Sequence, residues 1–373
     1  MKRVIAVFLA LIITLSAGIT AFSEELHPVK EQKRSIRNVF VADEFRTSDT
    51  AEYTEPEGDK LLTLDLISDT HIGSGDAAGI VSTSIRTIGA EKDSIDGVIV
   101  SGDLTHHGYD SEFDEIYSIL GNYSGGNLIT ANGNHDYGRW SDSGKMRPYA
   151  LKHRNDYLGI DTQKDYYSTE INGYKFIVMG SEGNKPNSAD ISDEQLAFVN
   201  SEVRNGAEGG RPVFVICHWP LRNTHGERIS WPIIPGGALN STTTKKLTAI
   251  LGQYKNVFYI SGHLHAGLNG RLSRRLFKAC CVEQHSGITC INVPSLGSGN
   301  HLGLTSKGTG MRLTVYGDKA IVEGRNFYTG EWLDNYVYEV SLNNAQPASQ
   351  GGGLPAILPD TPVLPGDDRD QAA

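Results

Sequence analysis

The sequence predicts an α/β protein, because short apolar runs rich in Val and Ile alternate with helical patterns and each run ends in a polar cluster. The runs occupy residues 61–67, 98–100, 128–131, 176–179, 212–217 and 257–260. They are mostly apolar and bounded by Gly and Pro, which reads as strands buried on both faces. Between them, 111–120 places Phe113, Ile116, Tyr117 and Leu120 on one helical face. Ser192 followed by Gln195 is a capping-box signature, and Leu196, Val199 and Val203 continue the stripe. Residues 242–251 form a further helix candidate. The alternation predicts a largely parallel or mixed sheet covered by helices.

After residue 285 the pattern changes. Residues 288–293, 312–316, 320–322 and 336–342 read as strands, with a hairpin turn at Tyr316-Gly317-Asp318-Lys319. A second, more antiparallel sheet is expected there.

The ends of the chain differ from its centre. Residues 1–23 carry Lys2 and Arg3, an apolar run over 4–15, and Ala21-Phe22-Ser23. This is the order of a secretory signal and too short for a comfortable membrane span. The expectation is an exported protein, placed outside the cell, in a periplasm or at the cell surface. Residues 24–58 are a polar lead-in that adds a strand or drapes over the domain, and 59–344 form the main domain. Residues 345–373, rich in Pro and Gly, are expected to be a flexible tail. No second apolar run is long enough to span a bilayer.

The 373-residue chain carries 44 acidic and 34 basic side chains, a formal charge of −10. No long basic run is present, so broad binding to nucleic acid is disfavoured. Of 4 cysteines, Cys217 ends an apolar run and reads as a small core residue. Cys280 or Cys281 can pair with Cys290 in an exported protein, or all three stay free.

The strand ends carry the chemistry. Asp69-x-His71, Asp103, Asn134, His218 and His263-x-His265 each follow an apolar run. Carboxylate, imidazole and amide oxygen are all ligands for borderline metal ions. In an open α/β sheet the carboxyl ends of the strands converge on one crevice, so residues distant in sequence can meet. In an extended continuation of a strand, residues two apart point the same way, which lets Asp69 and His71 face one ion, as do His263 and His265. Gly102, Gly133 and Gly262 allow tight turns and close backbone approach.

Together, Asp69-x-His71, Gly102-Asp103, Gly133-Asn134-His135-Asp136, His218 and Gly262-His263-x-His265 resemble the signature of the calcineurin-like metallophosphoesterases. The resemblance covers about residues 60–325. It implies a four-layer α/β sandwich with two central mixed β-sheets flanked by helices. It implies two divalent or transition metal ions, Mn, Fe or Zn. The first would be held by Asp69, His71, Asp103 and His265, the second by Asp103, Asn134, His218 and His263. Hydrolysis of phosphodiesters or phosphomonoesters by a metal-bridging hydroxide is implied, with His135 protonating the leaving oxygen.

Asp136 is expected either to orient His135 or a ligand or to serve as a turn residue. Arg139 either contacts a small phosphate-ester substrate or packs on the surface. His106 and His107 either reach the cleft rim or, the favoured reading, lie in a solvated loop, and Trp219 and Pro220 are read as the wall beside His218. His106 stands where purple acid phosphatases place tyrosine, and the segment from Gly102 to Gly108 with Glu112-Phe113 looks more like the phosphodiesterase branch. The alternative reading is a non-catalytic surface protein that retains the metal site to hold a phosphate ligand.

Overall fold

Strand alternation sets the layering. In the strand Leu62–Ile67, Leu62, Leu64 and Leu66 belong to one buried cluster and Ile67 to another. In Val213–Cys217, Phe214 and Ile216 join the first cluster while Val213, Val215 and Cys217 join the second. The first cluster contains no helix residue apart from a partly buried one at a helix end, so it fills the space between two sheets. The second collects the faces toward the helices.

The computed structural model describes residues 51–342 apart from 124, 140–141, 186, 228–235, 269–279 and 301–305, together with the backbone of 35–38 and 40–41. The secretory-type segment and the Pro/Gly-rich tail lie outside the described residues.

One sheet has eight strands in the order β3 (Ala51–Glu52), β1 (Ser35–Asn38), β15 (Glu331–Ser341), β14 (Lys319–Asn326), β13 (Thr309–Val315), β4 (Leu62–Ile67), β5 (Gly97–Val100) and β6 (Asn127–Thr130). The other has seven, in the order β2 (Phe40–Val41), β11 (Val282–His285), β12 (Ile288–Asn292), β10 (Val257–Ser261), β9 (Val213–Cys217), β8 (Tyr174–Met179) and β7 (Tyr167–Ile171). Both are mixed: β4, β5 and β6 run parallel, as do β8, β9, β10 and β12. Phe176, Phe214 and Phe258 stack across three parallel strands, with centroids 4.9 and 5.2 Å apart, and rivet the intersheet layer. Removing one such ring would cost about 3–5 kcal/mol.

Helices α1 (Ala77–Ala90), α2 (Asp110–Leu120), α3 (Arg147–Leu158), α4 (Asp193–Gly206) and α5 (Ser241–Leu251) cover the outer faces. Ser192 caps α4 by accepting from the Gln195 N–H at 3.1 Å. The Gln195 side chain does not return to Ser192 as a capping box requires. It bonds both backbone groups of Gly180 at the end of β8, and Glu182 accepts from Ser192 N at 2.8 Å instead.

The expected separate antiparallel sheet is corrected. The hairpin β13–β14, closed by Tyr316 N to Lys319 O at 2.7 Å, pairs antiparallel with β4 and so extends the first sheet. Its strands alternate like β4, and their apolar sides complete the same intersheet layer. Arg312 lies opposite Asp65 in that pairing and forms two bonds of 2.7 and 2.8 Å with its carboxylate. The strand at 288–292 joins the second sheet. The lead-in contributes to both sheets, β1 beside β15 and β2 beside β11, each parallel.

All four cysteines are buried and none forms a disulfide among the described residues. Cys290 faces the helix side, whereas Cys280 and Cys281 lie in the intersheet layer. The two sets point to opposite faces of the sheet, which disfavours a bridge.

Candidate metal centre

The carboxyl ends of β4, β5, β6, β9 and β10 meet at one edge of the two sheets, and each delivers its polar cluster there. Asp69, His71, Asp103 and His265 bring four donor atoms within 4.8 Å of one another; Asp103, His218 and His263 do the same. Asp103 belongs to both groups. Its Oδ2 is 3.2 Å from His218 Nε2 and 3.8 Å from His71 Nε2. His71 Nε2 and His265 Nε2 stand 3.0 Å apart, and His263 Nδ1 is 3.2 Å from His218 Nε2. Donor atoms bonded to one ion at about 2.0–2.2 Å necessarily lie about 3 Å from each other, so these spacings suit a shared cation.

Two further observations test the fit. Asp69 Oδ1 is buried and faced by imidazole nitrogens, with His265 Nε2 at 3.0 Å, and the equally buried Asn134 Oδ1 has no hydrogen-bond partner among the described residues. Such an atom is destabilising unless something coordinates it. The far nitrogens of three rings are also occupied. His218 Nδ1 bonds Ser101 O at 2.9 Å, His263 Nε2 bonds Gly236 O at 2.9 Å, and His265 Nδ1 lies 3.0 Å from Ser298 Oγ. Donating N–H to a carbonyl leaves the opposite nitrogen bare, the tautomer a metal requires. The donor set fits two cations.

The backbone departs from expectation. Asp69 (φ 51°), His71 (47°), Asp103 (51°), His263 (71°) and His265 (47°) are all left-handed. The extended geometry expected for the two Asp/His-x-His pairs is therefore replaced by tight turns that fold the donors back over the sheet edge. Each such residue stores about 1–2 kcal/mol, a strain typical of functional sites. Neighbouring glycines make room: a methyl on Gly133 would strike Asp103 Oδ1, and one on Gly262 would strike Ser68 Oγ and Asp69.

Burial opposes the ionised forms of Asp69 and Asp103, yet the facing histidines hold both carboxyls well below the usual carboxylate range. At His218 burial works against the proton, but Asp103 and Asp69 hold the imidazolium up to about 9. His263 is pushed down to about 3 by burial and by His218.

His135 sits beside the first group, its ring edge-on to His71 at 4.6 Å. Its Nδ1 is 2.8 Å from His106 O, and its backbone N–H donates to Asp103 Oδ1 at 2.9 Å. Asp136 is fully buried and accepts from Gly133 N, Leu104 N, Thr105 N and Thr105 Oγ1 at 2.8–3.2 Å. It staples the loop after β5 to the loop after β6, while burial and Asp103 push its carboxyl up to about 7. Trp219 packs against His218 and His263 and donates to Asn187 O at 2.7 Å.

His106 is not a solvated loop residue. It is half-buried, with its ring 5.4 Å from that of His71 and 5.2 Å from that of His135, and Arg139 Nη1 lies 2.7 Å from its Nε2. Together His71, His106 and His135 form a third cluster of ring nitrogens. The glycine-bounded loop around it was the available signal. His107 is bound by Glu112, Nδ1 to Oε1 2.7 Å. Ser298, Gly236 and Ser101 belong to no motif and carried no signal.

The fold and the clustered donors thus suit a metal-dependent protein with room for two cations. The chain belongs to a family shown by its sequence: residues 62–267 match the Calcineurin-like phosphoesterase model. Among solved structures it is similar to a dimetal phosphatase from Danio rerio, at 15% identity and a TM-score of 0.53, covering 77% of this chain and 100% of that one. It is also similar to the purple acid phosphatase PPD1 of yellow lupin (Lupinus luteus) seeds, at 15% identity and a TM-score of 0.53, covering 78% and 55%. These likenesses concern the fold. No curated protein matches the sequence.

Proposed function

We propose that this chain is an exported hydrolase of small phosphate esters that favours diesters over monoesters. The observation that carries the reading is the position of Asp103, which belongs to both donor clusters and is bonded to the backbone of His135. In this reading Asp69, His71, Asp103 and His265 hold one cation, and Asp103, Asn134, His218 and His263 the other. Bound there, two cations would supply Lewis acidity toward phosphate oxygens and an activated water nucleophile. Mixed nitrogen and oxygen donors suit Mn, Fe or Zn.

The chain's own residues supply the rest. His135 Nδ1 lies 2.8 Å from the His106 carbonyl, and with Nδ1–H donated there Nε2 is the nitrogen left to face a substrate. Protonated at Nε2, it would pass that proton to the departing oxygen, a step worth about 10²–10⁴ in rate. Asp136 holds the loops bearing Asp103 and Asn134 in register, and Trp219 seals the back of His218 and His263.

The diester preference is supported by the segment from Gly102 to Gly108 and by Glu112-Phe113, and export by residues 1–23. Among the described residues no helix is long and apolar enough to cross a membrane. A pure binding role for the same site is disfavoured by His135, since a binder needs no oriented proton donor.

The test is release of nitrophenol from bis- and mono-(4-nitrophenyl) phosphate by the Mn- or Zn-loaded protein. Turnover, faster with the diester, is expected. A folded, loaded protein that binds phosphate esters and turns over neither substrate would establish the binding role instead.

A further inference from the structure

We infer that Arg139 is a grip for a second anionic group carried on the leaving side of the substrate. The inference deepens the hydrolase reading and rests on it. Arg139 follows the Asn134-His135 block by one tight turn, with Gly138 N bonded to His135 O at 3.1 Å and Asp142 N to Arg139 O at 2.8 Å. Gly138 is left-handed at φ 97°, and a methyl there would meet the Asp142 carbonyl, so the turn is fixed. The half-buried side chain points back toward the centre and sets Nη1 2.7 Å from His106 Nε2. The His106 ring is in turn 5.2 Å from the ring of His135. Arg139 therefore lies one imidazole away from the group assigned to protonate the leaving oxygen, on the His71 side of the centre.

Its partner is what distinguishes it. Arg147, Arg312 and Arg325 are each held by a carboxylate, Asp165, Asp65 and Glu91 respectively. Arg86, Arg154 and Arg211 bond hydroxyl, amide or carbonyl oxygens, whereas among the described residues the Arg139 guanidinium meets neither a carboxylate nor another oxygen but the ring nitrogen of His106. An imidazole nitrogen offers one neutral acceptor to a fork of five N–H donors. A carboxylate or phosphate arriving on a substrate would replace that single ion–neutral bond with a bidentate pair between opposite charges, the geometry that the planar guanidinium matches best. The exchange needs only a side-chain rotation, because the backbone is already tied. Asp69 and Asp103 would be offset by two cations, so their charge would not compete for the guanidinium.

The class of substrate selected is a phosphate ester whose leaving group bears its own negative charge near the scissile oxygen, whether carboxylate or phosphate. The experiment compares methyl phenyl phosphate with methyl 4-carboxyphenyl phosphate, following phenol release in the wild type, Arg139→Gln and Arg139→Lys. The wild type should favour the carboxylated ester in kcat/KM by about tenfold. Arg139→Gln should collapse that ratio to about one, and Arg139→Lys should keep part of it. Calorimetric titration of the metal-loaded protein with phosphonoacetate and methylphosphonate reads the same preference without chemistry. If neither ester turns over while phosphonoacetate still binds more tightly and loses its advantage in Arg139→Gln, the grip stands and the hydrolase reading falls. A wild-type preference that survives Arg139→Gln in both assays, or no preference in either, overturns the assignment.

Discussion

The backbone N–H of His135 donates to Asp103 Oδ1 at 2.9 Å, so the residue assigned to proton transfer and the carboxylate shared by both donor clusters move as one unit.

Asp103→Asn keeps the size of the side chain and removes its charge. Because one carboxylate serves both clusters, affinity at both positions should fall together, by about 10- to 100-fold or more. Elemental analysis after dialysis reads this directly. A variant that loses one ion and keeps the other at full affinity would show that Asp103 is not shared.

His135→Ala should retain the wild-type metal content, since His135 lies in neither of the two main donor groups. Turnover of alkyl esters should drop by about 10²–10⁴, and that of nitrophenyl esters far less, because good leaving groups need no proton. Loss of metal on this substitution would place His135 among the ligands.

Asp136→Ala leaves four buried donors without an acceptor. The expected loss of stability is about 2–5 kcal/mol, seen as a lower urea midpoint at unchanged slope. Metal affinity should weaken as well, because the loops of Asp103 and Asn134 lose their staple. A change below about 1 kcal/mol would mean that solvent replaces those bonds.

Glu283 belongs to none of the donor clusters; it is buried and accepts from the backbone N–H of His225 at 3.0 Å, and burial raises its carboxyl from 4.5 to about 7. Below pH 4.5 it is protonated in folded and unfolded chains alike and has no effect. Between pH 4.5 and 7 only the unfolded chain ionises, so stability falls as pH rises, and above 7 the full penalty persists. That penalty is at most about 3 kcal/mol. Glu283→Gln keeps the acceptor and removes the charge, so it should stabilise the protein at pH 8 relative to wild type and have little effect at pH 4. Equal effects at both pH values would rule out ionisation as the cause.

Strands were legible where the pleat buries both faces, as in 62–67 and 213–217. The strand Val282–His285, with Glu283, Gln284 and His285, carries no apolar run and exists through its pairing with Ile288–Asn292. In the helix Ala77–Ala90 the buried stripe of Ile80, Val81, Ile85 and Ile88 is interrupted by Ser, Thr and Gly, whereas Arg147–Leu158 buries only Ala150, Leu151 and Arg154 and shows no stripe. Asp69, His71, Asp103, Asn134, His218, His263 and His265 were legible as a set because strand-end chemistry is written in local sequence. Their left-handed backbones and the carbonyls of Ser101 and Gly236 were not, since they follow from how distant loops dock. His106 looked solvated because nothing in its own segment shows that His71 and His135 close around it.

The central claim is that one pocket holds two cations. Stripping the protein with chelator, titrating it with Mn or Zn and counting bound ions by elemental analysis tests it most directly. Two ions per chain, both lost in Asp103→Asn, is the expected result. A folded wild-type chain that binds none, or one whose affinity ignores Asp103, would contradict the account.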